Sequence, residues 1–241
     1  MRGERRARIL SQLAGHADMG ASKLCAVGAA LTSMGGAGIM LMSQEIPQGS
    51  LCSSDAVSAR IEELQYDLGE GPCIEAFHLD EPVQEPDLPR AASRRWVAFS
   101  GPAVDAGVGA IFAFPLRIGA IRLGVMDLYR GETGPMTDEQ HADALVMADL
   151  IAQTILALQA DASPGEVANE LTAAADNRQV VHQATGMVAA QLDVGVATAL
   201  IRLRAHAFGN GRPLDSVARD VVNRVLRFDE ASSEQDGVRQ A

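Results

Sequence analysis

Cys73 is the most enzyme-like residue in the chain. It follows Gly69-Glu70-Gly71-Pro72 and opens a short stretch that ends at His78. A cysteine at a helix N-terminus has its thiolate stabilised by the helix dipole, and a nearby imidazole can serve as its base. No third residue that would orient a Cys–His pair is visible, so the favoured reading is a small buried residue under a tight turn. Gly35, Gly36 and Gly38 lack the G-x-G-x-x-G spacing of a phosphate cradle and precede a strand rather than a helix. His16, His78, His141, His182 and His206 show no metal-ligand spacing. Neither a metal nor a cofactor is therefore expected.

A second set of chemistry-bearing residues is basic and lies near the C-terminus. Residues 178–227 hold seven arginines against three acids, Asp193, Asp215 and Asp220. The polar residues that need explaining are Arg178, Gln183, Thr185, Arg202, Arg204, Asn210, Arg212 and Arg219. Arg202 and Arg204 stand about 200° apart around a helix, so they cannot both face one flat ligand. One of them is expected to run along the core or to meet an acid. Asp215 with Arg219, and Asp220 with Arg224, have the i,i+4 order of surface ion pairs. Arg178 interrupts an apolar stripe. Asn210 and Arg212 sit in the loop entering a third helix, where side chains and helix N-terminal amides can meet a phosphate.

The elements that must position these residues are legible from periodicity. Leu24 to Ala30 reads as a helix and Ala37 to Ser43 as a buried strand, with Ser50 to Ser54 its partner across Pro47-Gln48-Gly49. Asp55 caps a helix running through Tyr66, and a short helix spans Cys73 to His78. Ala110 to Phe114 and Ile121 to Tyr129 form an antiparallel hairpin around Gly119. Thr137-Asp138-Glu139-Gln140 is a capping box opening a long helix to about residue 159. Met147 and Leu150 widen its apolar stripe, which suggests a dimer seam. The pattern is α+β: a central antiparallel sheet flanked by helices.

Ser163-Pro164-Gly165-Glu166 then opens one helix from Pro164 to Leu192, with Leu171, Ala174, Val181, Ala184, Val188 and Leu192 on its apolar side. A second runs from Val196 to Phe208 with Ala199, Leu200, Leu203 and Ala207 inward. Gly209-Asn210-Gly211 stops it. A third starts at Pro213 and carries Leu214, Val217, Ala218, Val221, Val222 and Val225 on one face. The expected divisions are an N-terminal extension (1–23), an α+β domain (24–160), a three-helix module (164–228) and a polar tail (229–241).

Composition bounds the function. With 241 residues, 47% hydrophobic and 21% charged, the chain can bury the cores of two modest domains, and wholesale disorder is excluded. A net charge of −11 argues against nucleic acid for the chain as a whole. Its distribution is uneven: 12 basic and 21 acidic side chains over 1–163, seven and six over 164–228, one and four over 229–241. Cys25, Cys52 and Cys73 contain no C-x-x-C, and the odd count favours free thiols in a reducing cytoplasm. Arg2, Arg5, Arg6 and Arg8 are not followed by the apolar core of a signal peptide. Leu24 to Met42 is uncharged and near spanning length, but Gly35-Gly36 reads as a helix-to-strand turn in a soluble domain.

Residues 178–228 resemble an ANTAR module, the three-helix RNA-binding output domain of bacterial regulators. The matching positions are Gln183-Ala184-x-Gly186, then Ala199 with Leu203-Arg204, then Asn210, Arg212, Leu214, Ala218 and Val221-Val222. Upstream, Leu68-Gly69-Glu70-Gly71-Pro72-Cys73, Pro82-Val83, Phe114-Pro115-Leu116-Arg117 and Gly124-Val125 resemble a GAF sensor domain. Together they are similar to the GAF–ANTAR family over residues 24–228.

The resemblance implies a signal-responsive regulator that binds paired stem-loops in nascent transcripts and controls transcription termination or translation. It implies a homodimer presenting two modules to two hairpins, and a GAF input that shifts how the 137–159 and 164–192 helices pair across it. Arg178, Gln183, Thr185, Gly186, Arg202, Arg204, Asn210, Arg212 and Arg219 are the expected RNA-binding positions. Phe208 and Phe228 are the module's aromatic side chains, so arginine planes and polar groups would do most of the base recognition. The family often has a basic residue where Thr185 stands. Lys23 is the one lysine and precedes the sheet, which does not fit a cyclic-nucleotide site; a pocket for another small molecule or a signalling protein stays open. Two alternatives remain: a methionine-sulfoxide-reductase-like thiol enzyme, and a protein-interaction module without RNA binding.

Overall fold

The computed structural model describes residues 2–14, 23–43, 46–92, 94–161 and 178–228. The chain forms two compact units, 1–174 and 175–241. In the first, the order is α1 (Arg2–Ala14), α2 (Leu24–Thr32), β1 (Gly36–Ser43), β2 (Ile46–Ser53), α3 (Ala56–Leu68), α4 (Pro72–Leu79), β3 (Val83–Glu85), α5 (Leu88–Ala91), α6 (Val97–Asp105), β4 (Ala110–Ile118), β5 (Ile121–Arg130) and α7 (Asp138–Asp161). The five strands pair antiparallel in the order β2-β1-β5-β4-β3.

The uncharged stretch from Leu24 resolves into α2 and β1. Ser33 ends the helix in the left-handed region (φ 52°), and the Gly35 N–H donates to the Tyr129 carbonyl at 2.8 Å, which starts the strand. Among the described residues no single helix is long and apolar enough to cross a membrane. Asp55 and Ser58 cap α3 reciprocally, at 2.8 and 3.0 Å, and Thr137 and Gln140 do the same for α7, at 3.1 and 3.0 Å. Each box satisfies backbone donors that the first helical turn leaves orphaned.

One sheet face, with Ala37, Ile39, Phe112, Phe114, Met126 and Leu128, packs against α2 and α7. Met147 and Leu150 belong to this interior at 0% and 4% exposure. They widen the stripe because α7 is embedded in the core, and these two side chains offer no surface to a second copy. The opposite face carries Gly36, Gly38, Asp127 and Tyr129 under α3. Alternation along each strand produces this division.

Two expectations in this unit are corrected. Pro47-Gln48-Gly49 is not the turn between β1 and β2, because β2 begins at Ile46 and Pro47 pairs with Met42. Two register shifts in β1 absorb the irregularity, and β2 is an edge strand, where a residue without an N–H is tolerated. Nor are all three cysteines free: Cys25 on α2 and Cys52 on β2 form a disulfide, with their Cα atoms 5.9 Å apart. Packing of α2 across the sheet brings together residues 27 positions apart, which an odd cysteine count does not reveal.

The second unit contains α8 (Gln179–Leu192), α9 (Val196–Gly209) and α10 (Leu214–Val222). Val181, Ala184 and Val188 of α8 are buried, with Ala199, Leu200, Leu203 and Ala207 of α9 and Leu214, Val217, Ala218 and Val221 of α10. Asp193, left-handed at φ 52°, ends α8. The long helix expected over 164–192 is helical from Gln179; its Ser163-Pro164-Gly165-Glu166 start, with Leu171 and Ala174, lies outside the described residues. The third helix is shorter than its apolar pattern. It ends at Val222, Arg224 turns the chain at φ 61°, and Val225 is 77% exposed rather than part of the stripe. The chain then returns to α8: the Phe228 N–H donates to Gln191 Oε1 at 2.9 Å.

Candidate nucleic-acid interface

On α8 the exposed residues are Gln179, His182, Gln183, Gly186 and Ala190, spaced i, i+3, i+4, i+7, i+11. That spacing is one continuous helix face. Gln183 and Gly186 stand together on it, and a Cβ built on Gly186 would meet nothing within 4 Å, so bare backbone lies open there. Thr185 is different. It is 3% exposed, and its hydroxyl donates to the Val181 carbonyl at 2.7 Å. A side chain so enclosed presents nothing to a ligand, which corrects its expected place among the contacts.

The arginines divide as their helical angles require. Arg202 is exposed and Arg204 is half-buried, the split expected for residues two apart on α9. Arg178 is half-buried at the start of α8. Arg219 bonds Asp215 at 2.7 Å, as its spacing suggested. Asp220, however, holds Arg212 rather than Arg224. Arg212 Nη2 donates to Asp220 Oδ2 at 2.7 Å and to Ser216 Oγ at 2.9 Å. The early end of α10 takes Arg224 off the helix, while Arg212 approaches from the preceding loop. Asn210 caps α9, its Nδ2 donating to the His206 carbonyl at 2.8 Å. Two of the three acids of 178–227 are thus held in ion pairs, while Arg202, Arg224 and Arg227 are exposed.

The two aromatic rings of the module have opposite settings. Phe228 packs edge-on against His206 at 5.3 Å between centroids, whereas Phe208 is 65% exposed at the end of α9. Composition shows both phenylalanines; only the fold shows which one is accessible.

The GAF domain family model matches residues 21–156 and the ANTAR domain model matches residues 169–222. The chain belongs to the GAF–ANTAR family. It is a GAF-containing regulator with an RNA-binding ANTAR module, an architecture that is regulatory rather than catalytic. No curated protein matches the chain. Among solved structures it is similar to the GAF domain of a phosphoenolpyruvate-protein phosphotransferase from Coxiella burnetii, at 13% identity and a TM-score of 0.49, covering 65% of this chain and 96% of that one. The corresponding Acinetobacter GAF domain gives 12% and 0.47, covering 66% and 96%. A type II free methionine-R-sulfoxide reductase from Thermoplasma acidophilum gives 15% and 0.43, covering 63% and 94%.

Within the GAF domain, Cys73 lies at the start of α4 and is fully buried, its N–H donating to Gln65 Oε1 at 2.7 Å. Burial, then the charges of Asp127 and Glu62, push its thiol well above the usual range, so a thiolate is disfavoured. His78 stands about 140° further around the helix and is exposed. Cys25 and Cys52 are bonded to each other. These placements oppose the thiol-enzyme alternative.

The same interior holds a polar group that sequence reasoning missed. Gln65 Nε2 donates to Asp127 Oδ2 at 2.7 Å, and Glu62 lies beside it over Gly38, where a Cβ would overlap its carboxyl group. Burial pushes the Asp127 carboxyl up to about 6, against the opposing effect of hydrogen bonds from Gln65, Glu62 and Cys73. The available signal was one acid inside the apolar run Val125-Met126-Asp127-Leu128-Tyr129.

Proposed function

We propose that the ANTAR module binds paired stem-loops in nascent transcripts in the cytoplasm and controls transcription termination or translation. The GAF domain acts as the sensor and dimerisation domain, taking an unidentified small molecule or signalling protein as input. The observation that carries this reading is the charge of the module. Seven arginines meet three acids over 178–227 of a chain whose net charge is −11, an excess of four positive charges that the Arg212–Asp220 and Arg219–Asp215 pairs do not alter. Arginines meet phosphates, while Gln183, bare Gly186 and Asn210 lie near base edges or backbone. Arg178, Arg202, Arg204, Arg212 and Arg219 are the proposed cationic contacts.

The test is a mobility-shift titration of the full chain against a pool of structured RNAs over a range of salt. Arg204→Ala with Arg212→Ala is expected to weaken binding and reduce the salt slope, by about 0.7–0.9 for each phosphate that is no longer neutralised. Binding unchanged by the double substitution overturns the site assignment. No retention of any structured RNA by the unsubstituted chain overturns the function.

A further inference from the structure

The exposed face of α9 is apolar where a solvated helix face is expected to be polar. Ala197, Ile201, Ala205 and Phe208 are all exposed, Ile201 at 62% and Phe208 at 65%. Their helical angles fall within an arc of about 80°, over a length of about 16 Å. Arg204 stands one turn before Phe208, about 40° around the helix. The turn after Phe208 brings in another arginine: the Gly211 N–H donates to the Phe208 carbonyl at 3.0 Å, and the Arg212 N–H donates to the Ala207 carbonyl at 2.9 Å. A Cβ built on Gly209 or Gly211 would meet nothing within 4 Å, so the space at both positions of that turn is open.

We propose that Phe208 is a stacking platform for one unpaired base in the loop of a bound RNA. This rests on the RNA-binding reading of the module and adds the base contact that arginines alone leave unspecified. An aromatic ring open to solvent on a module with seven arginines against three acids over 178–227 matches single-stranded nucleic acid, whose bases offer π-faces and whose linkages carry negative charge. A helical protein partner fits less well, because the stripe has only two large side chains, Ile201 and Phe208, separated by Ala205. The excess of arginine over acid in 178–227 also favours an anionic partner. Ile201 and Ala205 extend the apolar floor on which the base edge or its sugar rests.

The experiment uses the full chain and two fluorescein-labelled probes. One is a stem-loop RNA with a randomised loop; the other is the same stem as a loopless duplex. Phe208→Ala is expected to weaken stem-loop binding about tenfold, the scale of one base stack, while Phe208→Trp stays within about threefold of the unsubstituted chain. Duplex binding is expected to be unchanged by either substitution. Unchanged stem-loop binding by Phe208→Ala overturns the platform, as does an equal loss on both probes. Unchanged RNA binding with altered self-association in sedimentation would assign the stripe to a second copy and also overturns it. Failure of the unsubstituted chain to bind either probe overturns the RNA reading itself, a result separable from the others. Thermal unfolding checks that the substitutions leave the fold intact, which the exposure of the ring favours.

Discussion

Asp127 stands between Met126 and Leu128 on β5, and its carboxyl faces the interior formed by Gln65, Glu62 and Cys73. Its pKa is raised in the folded chain to about 6, against an ordinary aspartate value of 3.8. Over that interval the folded state holds a proton that the unfolded state has released, so stability falls as pH rises from about 4 to about 6 and stays lower above. Asp127→Asn removes this ionisation and can still accept the bond from Gln65. We expect the substitution to flatten the fall, stabilising the GAF domain at pH 8 relative to pH 5 by a margin on the order of 1 kcal/mol. Calorimetric melts of both proteins at the two pH values measure it; parallel pH dependence would reassign the buried proton. A lone acid in an apolar run is legible in sequence. What it faces is not, because Gln65 lies 62 positions away and no local pattern joins them.

At the scale of elements, local signals read well where the backbone itself is the partner. Both capping boxes and the hairpin at Gly119 follow from side chains bonding within a few residues. The boundaries that differ from expectation have distant or conformational causes: Pro47 is tolerated because β2 is an edge strand, and α10 stops because Arg224 adopts a left-handed conformation that its residue type does not announce. The tie between α2 and β2 is the element-scale feature with the largest thermodynamic consequence. Closing 27 positions of chain restricts the unfolded ensemble, so reduction of Cys25–Cys52 is expected to cost about 2–4 kcal/mol in denaturant titration. Thiol labelling provides an independent count. The native chain should show almost no reactive thiol, the denatured chain one from Cys73, and the reduced, denatured chain three. Two or more fast-reacting thiols without reductant would show that the α2–β2 link does not form.

For the whole molecule, the order of the two modules and the basic character of the second are legible from motifs and charge distribution. Which of the module's aromatic rings is accessible is not, since Phe208 and Phe228 look equivalent until the chain after α10 packs one ring against His206. Charge also limits how a single module can act. An exposed group of arginines on a chain of net charge −11 pulls against the acidic remainder, so one module on one hairpin is expected to bind weakly and lose affinity steeply with salt. In the proposed dimer, two modules would convert the second contact into an intramolecular one. The full chain is therefore expected to bind an RNA with two stem-loops at least about tenfold more tightly than the same RNA with one, a conservative share of the 10²–10⁴ available from linked sites. Lengthening the spacer between the stem-loops should first preserve and then erode that gain, because effective concentration falls with the span to be bridged. Equal affinity for the one-loop and two-loop RNAs, together with a monomeric mass in sedimentation, would leave each ANTAR module acting alone and would remove the GAF domain's proposed role as the dimerising element.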